Sequence, residues 1–266
     1  MDFKRGRGVL HADRVLLDFI TAIDSANDVN TLFEVLEKAA LDLGYDTISY
    51  TYIPSLVGEA IPQFSPIFKI SQSYDTGFIE HYTTENFAAH DFTIKRIKEG
   101  DLKPMVWWDE ASKDRLSRKE KRVIEVARAD YGMRHGISIP TYSNKSDMAG
   151  VSVTSNESDH HFSLLCTESL DTMRKISRIF SDRVLAMPHV NNIFLAPLLT
   201  NLSATERRIL QGLCKGMSLK VVACEINITH KYAGNVVESL RSKLGNISRD
   251  RLLYIAGLME FHNLQL

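Results

Sequence analysis

The sequence predicts two domains of different class. The first is an α+β N-terminal domain, a helix-sheet-helix sandwich on an antiparallel sheet; the second is an all-α C-terminal domain of four helices built on a helix-turn-helix. Three observations carry this expectation. Up to residue 187, apolar stripes at helical spacing are interleaved with short β-branched and aromatic runs, two of them joined by a hairpin-like turn. From residue 201 onward only helical signals occur. Between the two, residues 188–200 contain Pro188 and Pro197 and read as a linker. The predicted limits are therefore 1–187, 188–200 and 201–266.

Residues 13–25 form the first predicted helix, with Val15, Leu16, Phe19, Ile20 and Ile23 on one stripe. Residues 30–43 form the second, on Leu32, Phe33, Leu36, Ala39 and Ala40, and Gly44 ends it. YDTISYTYI (45–53) reads as a strand, residues 54–67 with three prolines as a loop, and FKISQSY (68–74) as a second strand. Short helices are expected over 78–86 and 92–99, and Pro104 opens an extended piece through Trp107 and Trp108. Ser117 caps the next helix, Glu120 completes a capping box and Gly132 ends it. GISIPTY (136–142) and VSVTSNE (151–157) read as paired strands about the turn SNKSDMAG, and a long helix spans 163–187. Such a layered arrangement can hold a small apolar molecule between the sheet and one helical face.

In the C-terminal part, Ser203 is an N-cap with Glu206 at capping-box distance; Ile209, Leu210 and Leu213 follow, and Gly216 stops the helix. Ser218 caps a second helix with Val221, Val222 and Ile226 inside. Thr229 caps a third with Ala233, Val236, Val237, Leu240 and Leu244 inside. A short helix, a tight turn and a longer helix with polar tips form the helix-turn-helix pattern, whose second helix lies in the DNA major groove. A fourth helix on Leu252, Leu253, Ile255, Ala256 and Met259 packs this domain and offers a face for a dimer.

Composition bounds the function. Hydrophobic content of 44% and charged content of 24% suit a soluble globular chain of 266 residues. No run of about 18 apolar residues is present to span a membrane, and the basic N-terminus lacks the apolar core of a signal peptide. Cys166, Cys214 and Cys224 show no metal spacing; the expectation is free thiols in a reducing cytoplasm, with Cys214 and Cys224 on the apolar sides of their helices. His81, His90, His135, His160 and His161 lack a third ligand at metal spacing, and no HExxH, GxSxG or Walker pattern occurs. The chain is thus expected to be no enzyme, with no catalytic residues, no metal and no cofactor. The net charge of −1 hides an asymmetry. Residues 201–266 hold nine Lys or Arg and five acids, a net +4, while the other 200 hold 23 and 28, a net −5. A basic small domain beside an acidic large one suits a nucleic-acid module.

Two sets of spaced residues resemble the LuxR family of transcription regulators. In the C-terminal domain they are Glu206, Leu210 and Gly216, with LSATE before them and KGMSLKVVA and LRSKLG after. In the N-terminal domain they are Tyr74, Phe78, Tyr82, Asp91, Pro104 with Trp107, and Gly136 followed by Ser138 and Pro140. Together the resemblance covers residues 13–264. It implies a cytoplasmic quorum-sensing regulator that takes up an N-acyl-homoserine lactone or related autoinducer and binds promoter DNA as a homodimer. It also implies roles. Asp91 accepts from the ligand amide, Tyr82 donates to its acyl carbonyl, Ser138 adds a bond near that amide, and Tyr74, Phe78 and Trp107 are walls. Burying such polar ligand groups without partners costs about 1–3 kcal/mol each. Read without the resemblance, Asp91 is placed to cap the helix at 92–99, and the aromatics are ordinary core.

The chain departs from the family at several points. The family usually has Trp at Phe78, donating to the lactone carbonyl; phenylalanine has no donor. The Pro that usually follows the Asp is Phe92 here. Both changes resemble solo or orphan members, and leave open a lactone, another small molecule or ligand-independent action. Lys220 on the second C-terminal helix, Thr229 at the start of the third, and Lys231 and Arg241 on the third suit phosphates; on the third helix Asn235 suits adenine and Glu238 cytosine, with His230 and Tyr232 exposed beside them. Family members often carry Arg or Lys at Gly234 and Glu238. An antagonist that heterodimerises with another regulator is therefore an alternative. A phosphorylated receiver is not, because two helices precede the first strand.

Overall fold

A computed structural model describes residues 2–54, 67–113, 116–143, 147–187, 202–243, 246–258 and 261–263. The linker expected over 188–200 and the interior of the loop expected over 54–67 lie outside the described residues, as do Leu244 and Met259. The chain divides into two compact units, with one boundary at Ala186/Met187.

The first unit contains α1 (Asp2–Ile23), α2 (Val29–Asp42), β1 (Thr47–Pro54), β2 (Ile67–Ile70), α3 (Thr76–Thr84), α4 (Phe92–Lys98), β3 (Met105–Val106), α5 (Trp107–Ser112), α6 (Arg118–Tyr131), β4 (His135–Ser143), β5 (Asp147–Ser155) and α7 (Asp159–Leu185). The five strands make one sheet in the order β2-β1-β5-β4-β3, and β1/β2, β3/β4 and β4/β5 pair antiparallel.

Strand alternation gives this sheet two working faces. On β4, Thr141 hydrogen-bonds to Ser181 of α7 at 2.9 Å. On β1, the Tyr50 ring meets Phe180 of α7 edge-on at 5.0 Å. Ser138, three residues before Thr141 on β4, and Ser49 and Thr51, which flank Tyr50 on β1, line a cavity on the opposite face. Helix α7 covers the first face, with α1 and α2 packed against α7, and α3 to α6 cover the second.

Local chemistry sets most element ends. Ser117 and Glu120 form the expected capping box on α6, and Gly132, at φ 65°, ends it. Asp28 caps α2 through Asn30 and Thr31. Four expectations are corrected. Trp107 and Trp108 start a helix instead of continuing an extended piece, and that helix has no side-chain cap to announce it. Strand β5 begins at Asp147, so much of SNKSDMAG is strand. Ser158 caps α7, which starts at Asp159, four residues ahead of the expected region. Ile20 is exposed, because the buried stripe of α1 runs through Ala12, Val15, Phe19 and Ile23.

The second unit holds α8 (Ala204–Cys214), α9 (Leu219–Glu225), α10 (His230–Lys243) and α11 (Arg249–Leu258). Ser203 and Glu206 form the expected capping box, and Ser218 caps α9. Glu206 also reaches across to Lys243 of α10 at 2.8 Å, so it ties the start of one helix to the end of another. Gly212 is required by packing: a Cβ there would stand 2.5 Å from Val222 Cγ2, where α8 and α9 cross. Val221 and Cys224 are exposed, not inside as expected; seven residues are too few for a helical stripe to be read reliably. Cys214 is partly buried, and burial pushes its thiol up to about 11. Among the described residues, no helix is long and apolar enough to cross a membrane.

Candidate functional site

A cavity of about 70 Å³ lies between the second face of the sheet and helices α3, α4 and α6. That is several times the ~10–15 Å³ one water needs. All six residues singled out from the sequence line it: Tyr74, Phe78, Tyr82, Asp91, Trp107 and Ser138.

Asp91 is held from two sides. Its Oδ1 accepts from the Thr93 backbone N–H at 2.8 Å and the Thr93 hydroxyl at 2.7 Å, which caps α4. Its Oδ2 accepts from the Tyr82 hydroxyl at 2.8 Å. The helix-cap reading of Asp91 therefore holds, and its second oxygen is placed at the cavity. Burial first, and the Asp91 carboxylate second, push the Tyr82 phenol well above its ordinary pKa. Burial likewise raises Tyr74, against the bond it makes with Ser49. These phenols stay protonated. The Tyr82 proton is given to Asp91, so donation to a ligand carbonyl requires that bond to open.

A second polar group stands on the sheet. The Trp107 indole N–H donates to Ser138 Oγ at 3.0 Å, and Ser138 Oγ shares a hydrogen bond with Ser152 Oγ at 2.9 Å. Ser138 and Ser152 are directly paired across β4 and β5. Gly136, one pleat away, lies under the Trp107 ring; a Cβ there would be 2.3 Å from ring carbon Cε3. Phe78 is buried edge-on against Tyr82 at 5.8 Å and Tyr131 at 5.4 Å, so no donor occupies its place. Beside it, His81 Nδ1 and the Tyr131 hydroxyl are 2.9 Å apart, linking α3 to α6.

Sequence reasoning missed Thr51, Thr93, Met148, Gly150 and Ser152, and the α6 residues Val123, Ile124 and Ala127. Ser152 was findable, since setting the two predicted strands in register places it opposite Ser138. Thr93 was findable as the second residue after a capping Asp. The α6 residues were not, because nothing local says which layer their stripe faces. Among the described lining residues Asp91 is the only charged side chain, and no Lys, Arg or His is present. Of the histidines considered, His135 is stacked on Phe162 at 4.3 Å, and burial lowers its pKa. No group of three or more His, Cys, Asp or Glu is placed to hold a metal among the described residues.

In the second unit, Thr229 Oγ1 accepts from the Tyr232 N–H at 3.1 Å at the start of α10. Lys220, Thr229, His230, Lys231, Tyr232, Asn235 and Glu238 are exposed. Arg241 differs from the other basic candidates. Its Nε donates to the Ile247 carbonyl at 2.7 Å and its Nη1 to Glu238 at 2.7 Å, so both charges of that pair are already engaged. A Cβ at Gly234 would meet nothing within 4 Å.

The model of the autoinducer-binding domain matches residues 28–177. Among solved structures the chain is similar to CepR2 of Burkholderia cenocepacia, described as an N-acylhomoserine lactone dependent LuxR-family transcription factor. The identity is 19% and the TM-score 0.51, over 67% of this chain and 99% of that one. It is also similar to SdiA of Escherichia coli, at 15% identity and a TM-score of 0.47 over 93% and 97% of the two chains. SdiA in complex with octanoyl-rac-glycerol matches at 16% identity and a TM-score of 0.46, over 96% of each chain. No curated protein matches the sequence.

Proposed function

This chain belongs to the autoinducer-binding family of LuxR-type regulators, and on that premise we propose that its first unit binds an N-acyl-homoserine lactone or a related neutral amphiphile. We propose further that its second unit binds promoter DNA as a homodimer in the cytoplasm, joined to the first by the linker at 188–200. The observation that carries the ligand reading is the Asp91 carboxylate set into an apolar cavity with no basic side chain around it. A carboxylate has about four lone-pair sites, and three are taken by Thr93 and Tyr82. The remaining site suits one N–H or O–H of a ligand. A ligand carboxylate there would put two like charges in a low-dielectric space, so the site disfavours anionic molecules.

The test is thermal melting of the full chain with an N-acyl-homoserine lactone and with its ring-opened carboxylate. The lactone is expected to stabilise the chain by about 2.7 kcal/mol at a hundredfold excess over Kd. The ring-opened form is expected to leave the melting temperature unchanged. Absence of any shift across lactones, in a folded chain, would sink the lactone reading. A neutral amphiphile that is not a lactone is the second reading, favoured by Phe78, which offers no donor to a lactone carbonyl.

Substitution at Asp91 separates its two tasks. Asp91→Asn keeps a capping oxygen and is expected to cost under about 1 kcal/mol of stability. It is expected to weaken ligand binding tenfold or more, because an amide N–H₂ then faces the ligand donor. Asp91→Ala is expected to lose both the cap and the affinity. If Asp91→Asn binds like the wild type, Asp91 is a cap alone.

For DNA, Lys220 and Lys231 carry exposed charge expected to meet phosphates, and affinity should fall steeply with salt. Heterodimer formation with no DNA binding would instead support the antagonist role.

A further inference from the structure

We infer that α10 reads a cytosine of its DNA site through Glu238, and that Arg241 is the positioning residue that aims it. This rests on the proposal that the second unit binds DNA. At helical spacing, Lys231, Asn235, Glu238 and Ser242 share the side of α10 opposite the buried Ala233, Val237 and Leu240. All four are exposed. Glu238 is the one acidic side chain of the helix, and it stands in the middle of this face. Both its oxygens accept from Arg241 Nη1, at 3.0 and 2.7 Å. The guanidinium is anchored in turn: its Nε donates to the Ile247 carbonyl, beyond the end of the helix, at 2.7 Å. The Arg241 side chain is 30% exposed and that of Glu238 70%. An arginine fixed to the backbone thus holds a carboxylate that is open to solvent. A pair so exposed adds little to stability. What it supplies is direction, and a positive charge that offsets the carboxylate among phosphates.

A carboxylate only accepts, and two of its roughly four lone-pair sites are taken by Arg241. The donors on base edges in the major groove are the cytosine N4 and adenine N6 amino groups. Adenine N6 lies between two acceptors, its own N7 and the O4 of the paired thymine. Cytosine N4 has an acceptor on one side only, the O6 of the paired guanine. Guanine presents acceptors alone. The carboxylate is therefore repelled least at cytosine and most at guanine. Gly234, one turn before Glu238, fits this reading. A glycine inside a helix is less stable than alanine. Packing does not require it here, since a Cβ would meet nothing within 4 Å. It leaves the helix surface bare beside Glu238, so the groove can close to within reach of a glutamate, a shorter arm than Lys or Arg.

The experiment lets the full-length chain select from duplexes with a randomised segment, with and without an N-acyl-homoserine lactone. The proteins are wild type, Glu238→Gln, Glu238→Arg, Arg241→Lys and Gly234→Ala. The wild type is expected to enrich one C·G pair per half-site, by about tenfold over the alternatives. Glu238→Gln should turn that pair to A·T, because an amide matches both N6 and N7 of adenine, and Glu238→Arg should turn it to G·C. Arg241→Lys lacks the fork that grips Ile247 and Glu238 together, and should weaken the preference at that pair alone. Gly234→Ala should raise the melting temperature and yet lower affinity for the selected site. An identical motif for the wild type and both Glu238 variants, with specific binding retained, overturns the inference and leaves the DNA reading standing. A loss in Arg241→Lys that is uniform over all sequences overturns the positioning role. Wild-type binding by Gly234→Ala overturns the close approach. If the wild type enriches no sequence in either condition, the DNA reading falls and takes this inference with it.

Discussion

Gly136→Ala is expected to lower the stability of the first unit by about 1–3 kcal/mol and to abolish ligand binding. The added methyl would stand 2.3 Å from Trp107 Cε3 and 2.4 Å from Cδ2, well inside contact distance. The ring has no simple retreat. Its N–H is bonded to Ser138 and it is itself buried, so the methyl must displace the cavity wall or separate β4 from β3. Both tryptophans of the chain, Trp107 and Trp108, lie in this unit. Denaturation followed by tryptophan fluorescence therefore reports this unit alone. An alanine variant that unfolds and binds like the wild type would show that the Trp107 wall is free to move.

Glu206→Ala is expected to have the largest effect in the second unit, a loss of about 2–3 kcal/mol. The change removes half of a capping box and the bond from Lys243, and it leaves a buried position without its acceptor. Glu206→Gln should fall between, since it keeps a capping oxygen but not the charge. The pH dependence follows from the direction of the shift. Burial works to raise the Glu206 carboxyl, but Lys243 and Ser203 together hold it below its ordinary value of 4.5. A depressed folded pKa contributes stability that is present above 4.5 and is lost as pH falls through the folded value. The gap between wild type and Glu206→Gln should accordingly close in acid. Far-UV circular dichroism reads this transition, and a gap that persists below that range would show that the charge contributes nothing.

The parts of the fold legible in the sequence are those decided by near neighbours. Ser117, Ser203 and Ser218 announce their helices because a cap is a contact over two or three residues. The family spacing of Glu206, Leu210 and Gly216 has a physical basis in the structure: an ion-paired cap, a fully buried leucine and a helix end at φ 82°. What was not legible depends on partners far along the chain. The helix at Trp107 starts after Val106, which bonds nothing with its side chain, so no local signal marks it. Arg241 looks like a free phosphate contact in sequence, yet the Ile247 carbonyl and Glu238 hold it. In the cavity, the aromatic and acidic wall could be named from its intervals. The α6 wall and Gly150 could not, because facing is settled only when the layers stack.

The double engagement of Asp91 bears on how such a chain can drift in evolution. One oxygen starts α4 and the other accepts from Tyr82 at the cavity, so a substitution there that keeps no capping oxygen disturbs the scaffold along with the proposed ligand contact. Phe78, Met148 and Gly150 line the same space, and none of their side chains caps a helix. Changes of preferred ligand are open to the chain at those three positions while the acidic anchor stays fixed.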